Sequence, residues 1–153
     1  MFNQGDYYGC HDVLEEIWND AEEPVRTLIH GILQCAVGFY HLFNQNHRGA
    51  MMELGEGVCK LRKMRFEDDC RALVQFESEV SVTLEFLYQM QRQLGDPSNS
   101  AGMKFYAKKS DDIDGNWYII SNSDCRSDED EHVDRVKLPI LLVTEEQLNA
   151  LIR

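Results

Sequence analysis

Six polar side chains in the first third of the chain have the types and spacing to do chemistry. His11 and Glu15 stand four apart, so on a helix they share one face. Arg26, His30, Gln34 and His41 recur at four, four and seven, a single line along a helix through an otherwise apolar segment. Polar groups on a core-facing line cost up to several kcal/mol each if they find no partner. Two readings follow. In one, the groups satisfy each other and fix helix register, with Glu15 pairing Arg26 or a histidine and Gln34 tying helices together. In the other, His11, Glu15 and His30 converge on a divalent metal such as zinc, with Arg26 holding an anionic group. Two histidines and one carboxylate leave a metal room for the water that a hydrolytic reaction needs. Glu15 and Arg26 are then the candidate catalytic residues, and Gln34 and His41 complete the polar seam.

The elements that must position these groups are legible in the apolar spacing. A first helix is expected from about Asp6 to Asp20, with Asp6 as N-cap and Cys10, Leu14, Ile17 and Trp18 as its stripe. A second runs from about Pro24 to Phe43. Its apolar residues cover most of the circumference, as in a central helix packed on several sides. Gly31 and Gly38 lie seven apart on one line of it. Glycine there costs about 1 kcal/mol against alanine, so two on one line predict close approach of another backbone. A third helix, about Arg48 to Met64, carries Met51, Leu54, Val58 and Leu61. Its end is crowded with Lys60, Arg62, Lys63 and Arg65, which complement the helix dipole. A fourth, capped by Asp68 or Asp69, reaches about Leu94 with Leu73, Phe76, Val80, Leu84, Leu87 and Leu94 inward. Short connections between long helices favour antiparallel neighbours. The expected fold is all-α, an antiparallel bundle of about four helices. If the first two run antiparallel about a turn near Glu22, equal steps from it bring Trp18 level with Arg26, Glu15 with His30 and His11 with Gln34. His41 falls about 10 Å beyond Gln34.

The chain divides near residue 95. Residues 1–94 form the bundle domain, the turn formers of 95–102 a linker, and 103–153 an acidic, partly disordered extension. In the extension, Lys104–Ala107 and Asn116–Ile120 read as short strands about the turn Asp111–Gly115. Residues Asp124–Asp134 read as solvated and mobile, Leu138–Val143 has strand composition, and Thr144–Gln147 starts a last short helix through Ile152. The turn is no EF-hand, because Ser110 and Ser121 occupy the two positions that must be acidic. Glu129 and His132 imitate half of a di-iron motif without a second copy.

Composition narrows the function classes. The chain has 153 residues, 43% of them hydrophobic, and a net charge of −12. A field of that sign repels phosphate backbones, so nucleic acid is not an expected partner. No run of eighteen apolar residues suggests a membrane span. Five cysteines, none spaced C-x-x-C, and no visible secretory leader read as reduced intracellular thiols. Cys35 and Cys59 are expected among buried apolar residues. Nucleophile-elbow, P-loop, H-E-x-x-H and G-x-G-x-x-G motifs are all missing.

The runs Phe2-Asn-Gln-Gly-Asp-Tyr7 and Cys10-His-Asp-Val-Leu-Glu-Glu-Ile-Trp18 resemble the opening of domain-of-unknown-function family 309. The likeness continues through Arg26, His30-Gly-Ile-Leu-Gln-Cys-Ala-Val-Gly38, Tyr40, His41, Gly49, Ala50, Leu54, Gly57 and Leu61, and spans about residues 2–90. Asp12 stands where many members have Glu. The resemblance implies a small all-helical bundle. Members are sometimes described as predicted metal-dependent hydrolases. The segment His41–Glu53 looks most like cyanobacterial and plant members, which implies a plastid stroma location if the chain is from a plant and a cytoplasmic one otherwise. The function expected at this level is that of a helical-bundle protein, either a metal-dependent hydrolase using the His/Glu cluster or a non-catalytic interaction or scaffold protein, as a monomer or a homo-oligomer. The residues do not decide whether it is an enzyme.

Overall fold

The computed structural model describes residues 1–64, 70–94, 105–109, 117–122 and 134–142. A 3₁₀ turn, Phe2–Gln4, opens the chain and is followed by four helices: α1 (Tyr7–Asp20), α2 (Val25–Phe43), α3 (His47–Lys63) and α4 (Arg71–Leu94). Three short strands follow, β1 (Phe105–Lys109), β2 (Trp117–Asn122) and β3 (Asp134–Lys137), paired antiparallel in the order β1-β2-β3. The fold is therefore an all-α bundle followed in sequence by a small three-stranded sheet. Among the described residues no helix is long and apolar enough to cross a membrane.

The helix starts follow local chemistry. Asp6 accepts from the Gly9 N–H at 3.0 Å and Asn46 from the Gly49 N–H at 2.9 Å, each satisfying a free donor of the first turn. At α2 the Glu23 carboxylate takes the Thr27 hydroxyl at 2.7 Å and its N–H at 3.3 Å. The α4 cap expected of Asp68 or Asp69 lies outside the described residues, as do the linker, the Asp111–Gly115 turn, the Glu129 and His132 pair and the last helix.

α2 is the central element, and its largest interface is with α3. The close approach expected from its glycines is present. A Cβ on Gly38 would meet the Leu54 side chain at 2.6 Å and the Leu54 backbone N at 3.1 Å. A Cβ on Gly57 of α3 would meet Gly31 O at 2.9 Å and Cys35 Sγ at 2.7 Å. Cys35 is fully buried at this crossing, and burial pushes its thiol pKa far up, so it packs as a small hydrophobe. The pairs Gly31 with Leu61 and Gly38 with Leu54 fix α2 and α3 as antiparallel. Leu28, Leu42, Leu54, Val58, Leu61, Leu73, Phe76, Val80 and Leu87 fill the interior, as their spacing indicates. Arg62 does more than complement the α3 dipole. It ties α3 to α4 through Glu77 Oε1 at 2.7 Å and Ser81 Oγ at 3.0 Å.

Several expectations are corrected. Ile17 is 49% exposed, because α1 lies on the edge of the bundle and buries only Tyr7 and Cys10 fully. Cys59 is exposed, on the face of α3 turned away from α2, and Cys125 is outside the described residues. The third strand is β3, one element earlier than Leu138–Val143. Past Lys137 the chain bonds to side chains instead of a neighbouring strand. Ile140 N donates to Glu79 Oε2 at 3.1 Å, Leu141 N to Asn3 Oδ1 at 2.8 Å, and Asn3 Nδ2 to Leu141 O at 2.9 Å. Val136 and Leu138 join the bundle core at 9% and 5% exposure.

Three outcomes are expected. Gly57→Ala should lower unfolding free energy by about 1–3 kcal/mol, because its methyl meets backbone. Gly55→Ala, in the same helix with open space around it, should raise stability by up to about 1 kcal/mol in urea titrations. A chain ending at Gly95 should keep a cooperative thermal transition at a lower midpoint, since it loses Val136 and Leu138 from the core. Each kcal/mol lost lowers the midpoint by about 4–8 °C. Loss of cooperativity would make the C-terminal segment part of the folding unit.

Candidate functional site

The α1–α2 hairpin carries every candidate group. Antiparallel packing is visible in its ring pairs: Trp18 against His30 at 4.8 Å near the turn, Tyr8 against Tyr40 at 5.7 Å at the far end. The second pair centres the hairpin near Pro24, two residues beyond the expected Glu22, because Ala21 is extended and lengthens the connection. A two-residue shift of centre moves every partner by four, one helical turn. Trp18 still meets Arg26, whose guanidinium lies 4.9 Å from the indole centroid, but it also meets His30. His11 comes level with Val37 and His41 instead of Gln34.

The polar line is thus split between two places. Near the turn, Arg26, Trp18 and His30 form a stack at the rim of the bundle. Arg26 is exposed and His30 half-buried. The His30 pKa is lowered from its ordinary 6.5, first by desolvation and then by Lys60, with Arg26 adding to it and Glu53 and Glu56 opposing. Glu15 is exposed on α1. Gln34 is half-buried, with its Oε1 enclosed and without a hydrogen-bond partner among the described residues. The line was expected to face the core. It lies along the border between core and solvent, because α1 covers α2 from one side only.

At the far end, His11 and His41 line one cleft together with Tyr7, Tyr8, Val37 and Tyr40. Its volume is about 180 Å³ and its wall is almost wholly apolar. Three of the five lining rings have a support outside the cleft, while Tyr8 and Tyr40 are exposed and meet each other. Tyr7 is buried and stacks on Phe39 and Phe43 at 5.4 and 5.9 Å. His11 Nδ1 donates to Asp12 Oδ1 at 3.1 Å. His41 Nδ1 lies 3.2 Å from Asn46 Nδ2. The Asn46 amide is oriented by its cap, since its Oδ1 is bound to the Gly49 N–H. Its Nδ2 therefore donates, and His41 Nδ1 accepts, a bond available only to a neutral imidazole. The two histidines are thereby opposite in role: Nε2 is the acceptor on neutral His11 and the donor on His41.

Among the described residues no group of three or more His, Cys, Asp or Glu side chains could hold a metal ion. His11, Glu15 and His30 are not such a group. His11 sits at the cleft and His30 against Trp18, two turns of α1 or about 10 Å further along. Sequence reasoning named Tyr7, Val37 and Tyr40 only in the family likeness and Tyr8 not at all, and assigned none of them to a site. Placing the hairpin centre at Pro24 would have found all four.

Residues 1–52 match the family model described as Domain of unknown function (DUF309). The DUF309 match therefore covers α1, α2, the Asn46 cap and the start of α3, and with them all six lining residues of the cleft. No curated protein and no solved structure matches the chain.

The electrostatic reading has a direct check. In a proton NMR titration the His30 imidazole should titrate below 6.5. Lys60→Met should move its midpoint upward by removing a nearby cation. The sign for stability follows. A lowered folded-state pKa stabilises the fold above the unfolded value, and that stabilisation is lost as pH falls below 6.5 and through the folded value. An unchanged midpoint in the variant would leave burial and Arg26 as the causes of the lowering.

Proposed function

We propose that the chain is a non-catalytic binding module whose α1–α2 hairpin holds a small apolar group in the Tyr7, Tyr8, His11, Val37, Tyr40, His41 cleft. The single observation that carries this is the wall itself: five rings and one aliphatic side chain around about 180 Å³, with no Asp, Glu, Lys or Arg among them. An apolar cavity of about 150 Å³ suffices for benzene. The cleft is therefore of a size for one ring or one branched methyl cluster. Tyr7, His11 and His41 are held by stacking or by side-chain bonds outside the cleft, so these three lose little conformational freedom on binding. The metal-dependent hydrolase reading finds less support. It needs His11, Glu15 and His30 together, while His11 shares the cleft with His41 and His30 shares a stack with Trp18 and Arg26.

Toluene titrated into the full chain should shift the Val37 methyl resonances saturably. Val37→Phe, which fills the cleft from a half-buried position, should abolish the shift of the remaining lining residues while leaving the helical circular dichroism unchanged. Absence of a saturable shift in the parent would overturn the proposal. Metal analysis of protein purified without a histidine tag separates the rival reading. Sub-stoichiometric metal, the same in His11→Ala, is expected. Stoichiometric metal lost in that variant would restore the hydrolase reading.

A further inference from the structure

We infer that the cleft's ligand is a methylated ammonium group, a tertiary or quaternary cation, in preference to a neutral apolar group. This rests on the binding-module reading and names its ligand class.

Three observations carry it. The first is the wall: Tyr7, Tyr8, His11, Tyr40 and His41 are all π systems, with Val37 the sixth member. A tyrosine face is negative and its edge positive, so the exposed rings of Tyr8 and Tyr40 are the ones free to turn a face to a cation, while Tyr7 is stacked on Phe39 and Phe43. Tyr8 and Tyr40 meet at an interplanar angle of 51°, so they form an open corner instead of a closed stack. A methylated ammonium suits this wall better than a primary one, because it has few or no N–H donors to leave unpaired against apolar surface.

The second is charge. No Lys or Arg lines the cleft, and His41 accepts its hydrogen bond from Asn46 as an uncharged ring. The lining residues of α1 are interleaved with Asp6, bound to the Gly9 N–H, and Asp12, bound to His11. Over the whole chain the net charge is −12. That field concentrates cations at the surface and repels anions. An anionic ligand would be repelled by that field.

The third is size. About 180 Å³ admits one ring-sized group, and a trimethylammonium head is of that order. The remainder of the ligand would lie outside, which leaves two sources for the same chemistry: a free small molecule such as choline, or a trimethylated lysine side chain of a protein.

The test titrates the full chain, by chemical shift, with choline, with a short trimethyllysine peptide, and with the carbon isostere of choline that carries a tert-butyl group in place of trimethylammonium. Choline or the peptide should bind several-fold more tightly than the isostere, and the tighter of the two identifies the source. Tyr40→Phe should keep the preference. Tyr40→Leu should weaken the cation by about two- to five-fold more than it weakens the isostere, because the ring's contact area is lost to both ligands and its cation attraction to one. Equal binding of cations and isostere would overturn this inference while the apolar binding module stands. No saturable binding of choline, peptide, isostere or toluene would overturn both.

Discussion

The close crossing of α2 and α3 is the constraint on which the rest of the structure depends. Gly31, Gly38 and Gly57 remove side chains where the two helices touch, and Cys35 and Leu54 fill the space that remains. The cost of glycine inside a helix is offset only where backbone or a fixed side chain occupies the vacated volume. Gly31, Gly38 and Gly57 meet that condition. Gly55, with nothing near it, does not. Once α3 is seated on one side of α2, the opposite side is left for α1, and the polar line of α2 is confined to the margin between them.

The second organising contact is aromatic. Phe2 meets Tyr7, Phe76 and Phe39 edge-on at 5.2, 5.2 and 6.0 Å, so the first residues of the chain are anchored to α1, α2 and α4 at once. Tyr7 stacks on Phe39 and Phe43 in the same cluster. Edge-to-face and offset pairs of this kind add about 0.5–1.5 kcal/mol each beyond burial. The cluster also sets the cleft. It seats the start of α1 against the end of α2, which holds Tyr8 beside Tyr40 and His11 near His41. Asn3 and Glu79 then take the backbone of Ile140 and Leu141, so the segment after β3 is fastened to the chain start and to α4.

The polar groups of the hairpin illustrate how a border position is satisfied. Arg26 and His30 use the Trp18 ring, His11 uses Asp12, and His41 uses Asn46. None of them needs another member of the line. Gln34 Oε1 and Thr83 Oγ1 are the enclosed polar atoms without a partner among the described residues. Such groups cost about 1–3 kcal/mol when left dry.

By itself the sequence determined the all-α bundle, the four helices within a few residues, the Asp6 cap, and the close approach at Gly31 and Gly38. These are written in local patterns: apolar residues three and four apart, short polar side chains before them, and small residues where bulk is otherwise favoured. It also brought out His11 and His41 as polar residues in helical positions. What only the tertiary structure decided is which of those residues share a place. Trp18 opposite His30, and Tyr8 opposite Tyr40, depend on where the hairpin is centred. With Ala21 extended, that centre lies two residues further on, so His11 is carried a full turn from Gln34 while Trp18 keeps Arg26 and adds His30. The exposure of Ile17, Glu15 and Cys59 was equally beyond reach of the pattern. Helical spacing marks a face, but the number of neighbours covering that face is a property of the assembled bundle.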